Sequence, residues 1–144
     1  MRFLCAVLLT PEKVTIHNIP NIRDVNKLID LLDCIGVKVE RLSESSYSFT
    51  AKDINFDYLH SEEYREKSTS IRGSIMMIGP LLARYGKGYI PKPGGDKIGR
   101  RRLDTHFIGF EKLGAKFEFS HKENSYKVKG KKLKGTSMLL DEAS

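Results

Sequence analysis

The residues best suited to chemistry lie in one glycine-rich segment, residues 93–102, which reads Pro93-Gly94-Gly95-Asp96-Lys97-Ile98-Gly99-Arg100-Arg101-Arg102. Its glycines permit positive φ and a close approach to a ligand, and exposed amides in such a segment can bind oxyanions. The arginines offer forked donors that match phosphate and carboxylate oxygens. The cationic neighbours of Asp96 keep it ionised unless a bound dianion offsets them, in which case it can donate a proton. The alternative is a flexible basic turn, because glycine-rich segments are weak signals on their own.

Few other residues have types and spacing that suggest a site. Arg72, next to Gly73, could reach a bound ligand, although a surface arginine fits the same pattern. Asp104 and His106 are too few to form a metal site, and no further His/Cys group accompanies them. The sequence contains no Walker-type loop, Gly-x-Ser-x-Gly motif or dinucleotide fingerprint. It therefore implies no metal and no cofactor.

A repeat in the sequence supplies the elements that must position these residues. Leu8-Leu9 and Leu81-Leu82 lie 73 residues apart, whereas Gly36 and Gly114, each following a helix pattern, lie 78 apart. The second copy therefore carries about five extra residues between its strand and its helix, within the glycine-rich segment. Each copy reads helix–strand–helix–strand–strand. An insertion into a repeated scaffold is where function is commonly added.

Hydrophobic periodicity predicts the helices of both copies. In the first copy, a helix is preceded by Asn21 as its N-cap and followed by Gly36 as its C′ glycine. In the second copy, we predict one helix over 68–84 and another over 103–113. The apolar faces of these three helices consist of Leu28, Leu31, Leu32 and Ile35; Ile71, Ile75, Ile78 and Leu82; and Leu103, Phe107, Phe110 and Leu113.

The remaining pattern predicts strands and an overall α+β fold. The strands are expected at 14–19, 37–42, 46–50, 88–91, 115–119 and 125–128. The basic run 127–134 is expected to be a solvated strand edge, where lysines discourage pairing with other chains. We expect an apolar strand over 137–140 and a chain that is cut at both ends. Residues 1–60 are predicted to form a partial first repeat unit and residues 61–144 a second unit, both in one lobe.

The bulk composition is that of an ordinary globular protein, with 144 residues of which 30% are charged. No apolar run approaches the roughly 20 residues that cross a bilayer, so no membrane partner is expected. The net charge of +7 indicates either an anionic partner, such as small-molecule phosphates or nucleic acid, or a solvated basic surface. Cys5 and Cys34 are expected to be buried hydrophobes without the basic neighbours of a nucleophilic thiolate, with a disulfide as the alternative.

Four motifs in one register resemble the UDP-N-acetylglucosamine 1-carboxyvinyltransferase family, which performs the first committed step of peptidoglycan synthesis. They are Ile71-Arg72-Gly73-Ser74, Gly79-Pro80-Leu81-Leu82-Ala83-Arg84, Pro93-Gly94-Gly95-Asp96-Lys97-Ile98-Gly99 and Arg101-Arg102-Leu103-Asp104-Thr105-His106. The resemblance implies a cytoplasmic transferase that moves the enolpyruvyl group of phosphoenolpyruvate to the 3′-hydroxyl of UDP-N-acetylglucosamine, serving cell wall biogenesis, cell shape and cell division. It also implies the enolpyruvyl transferase fold, an inverse α/β barrel lobe of repeated βαβαββ units, of which this truncated chain would hold about two.

The resemblance implies a role for each matching residue. Asp96 stands at the position of the proton donor, where most members have cysteine, and this implies insensitivity to fosfomycin, which alkylates the thiol. Arg72 and Arg101 match positions that hold substrate phosphate or carboxylate groups. Arg102 and Glu142 depart from the proline and the lysine that other members have. The segments that would bind the UDP-sugar comprise Arg101, Arg102, Leu103, Asp104 and Thr105, together with Glu142, Ala143 and Ser144.

The resemblance also implies that much of the enzyme lies outside this sequence. Members of the family run to roughly three times this length. The missing remainder of the enzyme is thus an expected partner, and this chain alone is predicted to be inactive. The alternatives are a basic nucleic-acid-binding module, with 97–102 and 127–134 as its footprint, and the sibling enzyme that acts on shikimate 3-phosphate. Nucleic acid is disfavoured because aromatic residues do not interleave with the basic runs. Asp104-Thr105-His106 fits the UDP-sugar enzyme better than the sibling.

Overall fold

The computed structural model of the chain describes residues 1–92, 104–121, 123–130 and 132–139. The helices are α1 (Arg2–Ala6), α2 (Arg23–Cys34), α3 (Glu62–Thr69), α4 (Ile78–Tyr85) and α5 (Asp104–Lys112). Short 3-10 helices cover Val7–Leu9, Tyr58–His60 and Arg72–Met77. The strands are β1 (Lys13–Ile16), β2 (Lys38–Arg41), β3 (Tyr47–Thr50), β4 (Lys87–Pro91), β5 (Lys116–Ser120) and β6 (Ser125–Lys129).

Two three-stranded antiparallel sheets with the same topology form the framework. Their strand orders are β1-β3-β2 and β4-β6-β5, so the last strand of each unit lies in the middle of its sheet. Phe49 of β3 pairs with Val14 and Val39, and Val128 of β6 has the equivalent place between two partner strands. The repeat predicted from the sequence is therefore confirmed. The fold is α+β, with about two βαβ-type units.

The helix that precedes each strand pair ends in the same way in both units. Gly36 has φ +101° and its amide donates to the carbonyl of Asp33, while Gly114 has φ +98° and donates to Glu111. Only glycine adopts such a φ without strain, so each helix stops there and the chain turns into the next strand. At Gly36 there is also no room for a side chain, because a Cβ would lie 2.6 Å from a backbone oxygen.

Hydrophobic burial ties the units to one another. The apolar face predicted for α2 is confirmed, since Leu28, Leu31, Leu32 and Ile35 are fully buried. Each such side chain contributes roughly 1.5–3 kcal/mol of transfer free energy. The first core cluster contains these residues together with Leu81 and Tyr89, which come from the second half of the chain. A boundary between units at residues 60 and 61 stays a prediction, and the core runs across it.

The helix predicted over 68–84 is wrong as one continuous element. The chain forms α3, the 3-10 helix Arg72–Met77 and α4 instead. The break falls at Ile71, whose backbone is extended with φ −135° and ψ 129°. Ile71, Ile75, Ile78 and Leu82 are nevertheless all buried. The apolar stripe therefore reflects burial, and tertiary packing overrides the helical period that it indicates.

Three smaller predictions are also corrected. Ile22, with an extended backbone, precedes α2 in place of Asn21, whose Oδ1 accepts a hydrogen bond from Asn26 Nδ2 at 2.8 Å. Residues 127–129 of the basic run do not lie at a sheet edge, because they belong to β6, which is the central strand of its sheet. A central strand can hold lysines because alternate residues of a strand point to opposite faces of the sheet. Among the last three residues of β6, Val128 is buried and the two lysines beside it are not. Residues 137–139 form no strand, and 140 lies outside the described residues.

Candidate functional site

Most of the predicted site lies outside the described residues. This applies to Asp96, Arg101, Arg102 and Leu103 and to the C-terminal group Glu142, Ala143 and Ser144, as well as to the side chain of Asp104. The structure does describe both flanks of the glycine-rich segment. Twelve residues (92–103) separate β4 from α5, whereas six (17–22) separate β1 from α2. The second connection is thus six residues longer than the first, which agrees with the insertion of about five residues predicted between strand and helix.

The chain enters the glycine-rich segment from β4, which is firmly held. Four of its five residues, from Gly88 to Pro91, are buried, and the amide of Lys92 donates to the carbonyl of Asn124 at 2.9 Å. Beneath the strand, the fully buried Tyr64 donates its hydroxyl to the carbonyl of Tyr89 at 3.3 Å. Burial raises the pKa of Tyr64, so its hydroxyl stays neutral and available as a donor. The segment thus begins from a buried, hydrogen-bonded strand.

The chain leaves the glycine-rich segment at the first turn of α5. This helix begins at Asp104, and Thr105 in its first turn is half-buried. Its apolar side packs on the second sheet, where the ring of Phe107 lies 4.8 Å from that of Phe117 and 4.5 Å from that of Tyr126. The amino end of a helix has unpaired N–H groups and a positive dipole end, which favour anions. The helix direction therefore supports anion binding where the segment ends.

Arg72 is held by buried neighbours on both sides. It is the first residue of a 3-10 helix, between the buried residues Ile71 and Ser74, and its own side chain is half-exposed. The hydroxyl of Ser74 donates to the carbonyl of Ile71 at 2.9 Å and closes this turn. Buried neighbours fix the backbone of Arg72, so its guanidinium extends from a defined position.

The segment that carries Arg72 is packed with α5. Ile75 and Ile78 share one hydrophobic cluster with Phe107 and Phe110 of α5. At Gly79, an added Cβ would lie 3.6 Å from the ring of Phe110, which shows how closely the two helices approach. The structure thus joins the elements that carry Arg72 and Thr105 through shared packing.

Several charges of the described surface form ion pairs. Lys127 Nζ lies 3.0 Å from Glu123 Oε2, and Lys13 and Lys38 both contact Glu40 at 2.8 and 2.9 Å. Within the described ranges, no group of three His, Cys, Asp or Glu side chains is arranged to bind a metal ion. None of the described helices combines the length and apolar character needed to cross a membrane.

A cleft of about 220 Å³ opens in the first unit, next to the connection between β1 and α2. Its lining includes Asn21, Asp30, Arg41, Glu44 and Tyr47, but neither Arg72 nor Thr105. Arg41 uses its Nε to donate to the carbonyl of Ser43 at 3.1 Å. This cleft is separate from the flanks of the glycine-rich segment, so we do not assign the candidate site to it.

Sequence reasoning missed two contacts made by basic residues. Arg84 donates to the backbone carbonyls of Leu8 at 3.2 Å and Ala51 at 2.6 Å, which links the two units. Lys67 Nζ lies 2.9 Å from Cys34 Sγ, so the prediction that neither cysteine has a basic neighbour is wrong for Cys34. Both cysteines are free thiols, and the burial predicted for Cys5 is confirmed. Neither contact has a local sequence signal, because the partners lie 33 or more residues apart.

Comparisons with known proteins agree with this architecture. The sequence matches the EPSP synthase (3-phosphoshikimate 1-carboxyvinyltransferase) family over residues 1–144. It is 54% identical over 144 residues to the UDP-N-acetylglucosamine 1-carboxyvinyltransferase of Bacteroides fragilis, covering all of this chain and 33% of that protein. The enzyme of the same name from Porphyromonas gingivalis is 49% identical with the same coverage, and that from Borreliella burgdorferi is 43% identical over 141 residues, covering 98% of this chain and 31% of that protein.

A solved structure shares the fold. The crystal structure of the enolpyruvyl transferase NikO from Streptomyces tendae superposes with a TM-score of 0.71 at 15% identity, covering 92% of this chain and 28% of that one. The chain spans about a third of the length of the curated relatives it matches. The family match over the whole sequence and the shared fold lead to one conclusion: the chain belongs to the EPSP synthase (3-phosphoshikimate 1-carboxyvinyltransferase) family.

Proposed function

We propose that this chain is part of an enzyme that transfers the enolpyruvyl group of phosphoenolpyruvate to the 3′-hydroxyl of UDP-N-acetylglucosamine, in cytoplasmic peptidoglycan synthesis. The observation that carries the proposal is 54% identity, across all 144 residues, to a UDP-N-acetylglucosamine 1-carboxyvinyltransferase. Because the chain spans a third of that relative, we infer that the rest of the enzyme completes the site. The chain by itself should bind substrate groups weakly and should not turn over.

In this proposal Asp96 protonates the methylene carbon of phosphoenolpyruvate. A carboxyl group can do this only when it carries a proton, and a bound phosphate dianion among the arginines would favour that state. The 3′-hydroxyl oxygen of the sugar then bonds to the carbon that becomes electron-poor and gives its proton to a base in the remainder of the enzyme. The new methyl group afterwards loses a proton as the C–O bond to phosphate breaks, so that the double bond is restored and phosphate leaves. With aspartate in place of the cysteine that fosfomycin alkylates, the enzyme should be insensitive to that inhibitor.

The anionic groups of the substrates would be held by one arginine before the glycine-rich segment and one near its end. Arg72 and Arg101 are assigned to phosphate or carboxylate oxygens, because a guanidinium binds such groups with two parallel hydrogen bonds. The turn closed by Ser74 next to Arg72, and the packing of the neighbouring Ile75 with α5, support this assignment. Pre-positioned donors need little reorganisation when charge develops during the reaction.

The UDP-sugar would lie along the start of α5. We assign it to Arg101, Arg102, Leu103, Asp104 and Thr105, with a second group at Glu142, Ala143 and Ser144. The amino end of α5 supports this assignment, because its unpaired N–H groups suit diphosphate oxygens. The half-buried Thr105 would contribute mainly through its backbone and hydroxyl.

A ligand titration of the chain, followed by amide NMR shifts, tests this proposal. Adding UDP-N-acetylglucosamine should shift Arg72, the 94–106 amides and the 141–144 end, and Arg72→Ala should weaken those shifts. The matched control is Arg23→Ala, which removes an exposed arginine at the start of α2 and should leave binding unchanged. Equal shifts with both variants would contradict the role of Arg72. Phosphate release by the chain alone would contradict its predicted inactivity.

The sibling enzyme is the second candidate, since the matching family carries the name of the 3-phosphoshikimate enzyme. Competition distinguishes the two: shikimate 3-phosphate should fail to displace UDP-N-acetylglucosamine if our proposal holds. Short duplex DNA serves as a third ligand. The pairing of Lys127 with Glu123 and its place in a central strand argue against a nucleic-acid footprint there. Binding of any polyanion with a steep salt dependence would instead favour it.

A further inference from the structure

Cys34 and Lys67 form a close pair that the proposed transferase chemistry does not use. Cys34 is the last residue of α2, and Lys67 lies in the last turn of α3. The Lys67 Nζ lies 2.9 Å from the Cys34 Sγ and 2.6 Å from Glu63 Oε1. Reacting atoms roughly 3–3.5 Å apart are already in a near-attack arrangement. The two side chains come from residues 33 positions apart, so tertiary packing alone sets this distance.

The pair is accessible to small reagents, unlike the other cysteine of the chain. The Lys67 side chain is 39% exposed and Cys34 is half-buried, whereas Cys5 is 2% exposed. Burial raises the pKa of Cys5 to about 12, which suppresses its thiolate. Cysteines that peroxide oxidises are accessible to solvent and have a cationic neighbour, because the thiolate is the reactive form. Cys34 is partly accessible and has Lys67 beside it, whereas Cys5 is buried.

We propose that Cys34 and Lys67 form a peroxide-responsive pair, in which oxidised Cys34 is captured by Lys67 as a reversible covalent sulfenamide. In the first step the thiolate attacks hydrogen peroxide, the O–O bond breaks, Cys34 becomes a sulfenic acid, and the hydroxide released takes one proton from Lys67 Nζ to form water. In the second step Nζ attacks Sγ, the S–O bond breaks and a second water leaves. Sulfur loses two electrons to the peroxide, and nitrogen loses two protons in total as the S–N bond forms.

The neighbours of the pair assist the second step. Two hydrogen bonds raise the pKa of Lys67, the one to Cys34 most and the one to Glu63 next, so the amine is charged before oxidation. Conversion of the sulfur into a neutral sulfenic acid weakens the first of these effects. Glu63 Oε1 is already hydrogen-bonded to Nζ and can accept the proton that must leave. Tyr58 borders the sulfur; burial, and then Cys34, raise its pKa to about 12, so it stays neutral.

The cross-link would fasten two elements that position the candidate site. It joins α2 of the first unit to α3, and α3 carries the buried Tyr64 that donates to β4. β4 leads into the glycine-rich segment. The link would therefore tie the strand before that segment to the first unit when peroxide is present, and thiols would release it by exchange at sulfur.

Peptide mass spectrometry of the peroxide-treated protein tests this proposal. We expect a cross-linked pair of peptides containing Cys34 and Lys67, lighter than their sum by two hydrogen atoms and separated again by dithiothreitol. Cys5 serves as the internal control and should stay unmodified in the folded protein. The variant Lys67→Arg keeps the positive charge but should not form the link, so dimedone should trap the Cys34 sulfenic acid severalfold more than in the unmodified sequence.

Several results would overturn the proposal. One is oxidation of Cys34 to sulfinic acid with no cross-linked peptide. Another is equal dimedone labelling of Cys34 with and without Lys67→Arg, and a third is no oxidation of Cys34 at all. The mass measurement on the unmodified sequence decides the question even if the substitution disturbs folding. Glu63→Gln should slow the appearance of the cross-link without changing the rate of sulfenic acid formation.

Discussion

Arg84 joins the two repeat units through its guanidinium. Replacing it should lower the stability of the fold without removing any residue of the candidate site. Its Nη1 donates to the carbonyls of Leu8 and Ala51 at 3.2 and 2.6 Å, and its Nη2 donates to that of Lys52 at 3.3 Å. The Cζ atom also lies 4.7 Å from the centre of the Tyr85 ring. Leu8 and Ala51 are fully buried, so their carbonyls have little access to water when the arginine is removed.

The expected effect follows from these contacts. Hydrogen bonds to charged groups contribute roughly 1.5–3 kcal/mol each, and a buried acceptor left unsatisfied costs about 1–3 kcal/mol. The three bonds share one half-exposed side chain, so they do not add fully. We expect Arg84→Ala to lower the free energy of unfolding by about 3 kcal/mol, since the two shorter bonds dominate. Arg84→Lys should lose roughly half of that, because an ammonium lacks the planar fork.

Equilibrium unfolding in urea measures this prediction. With a slope of about 2 kcal/mol per molar urea, the midpoint of Arg84→Ala should fall by about 1.5 M. The matched control is Arg23→Ala, whose arginine is exposed at the start of α2 and whose free energy of unfolding should stay within about 0.5 kcal/mol of that of the unmodified protein. If Arg84→Ala and Arg23→Ala unfold at the same urea concentration, the bridging role of Arg84 is refuted.

Three further predictions concern single sites. Gly36→Ala should lower the free energy of unfolding by roughly 1–3 kcal/mol, because of the positive φ and a backbone oxygen 2.6 Å from the new Cβ. The control is Gly135→Ala, which has open space around the new Cβ. Equal melting temperatures of the two variants would contradict the predicted strain. Hydrogen bonds, above all from Lys13 and then from two other side chains, lower the pKa of Glu40 to about 2. The ionised Glu40 therefore contributes to stability at pH values above its ordinary pKa of 4.5, and this contribution is lost as the pH falls toward 2. The melting-temperature difference from Glu40→Gln should shrink over that range, and a constant difference would argue against it. Phe107→Ala removes contacts with two rings at 4.8 and 4.5 Å and should cost about 2–3 kcal/mol in urea unfolding, whereas Phe107→Leu should cost less than half of that.

Local patterns were sufficient to predict the regular parts of both units. The α2 face and Gly36 predict where that helix lies and where it ends, and Gly114 does the same for α5. The inserted residues could be located because the two copies can be compared within one sequence. The motifs around Arg72 and Asp96 indicated the family, which the comparisons confirm. The roles of those two residues stay predictions.

The failures occurred where a residue's conformation depends on distant partners. The stripe over 68–84 has a helical period, yet Ile71 is extended there because burial against the core, and not the period, determines its backbone. Lys127 was assigned to an edge because a lysine-rich strand is typical of edges, whereas pairing on both sides makes β6 central.

The amino-acid sequence by itself determined the α2 face and the helix ends at Gly36 and Gly114, because each depends on neighbours within a few residues. It also determined the repeat and the place of the inserted segment, because the two copies can be aligned with one another. Only the tertiary structure decided which strand lies in the middle of each sheet and that Arg84 bridges the two units. It alone also brought Lys67 to Cys34. The contacts of Arg84 and Lys67 join residues 32 or more positions apart, and their distances are set by how helices and sheets pack around the shared core.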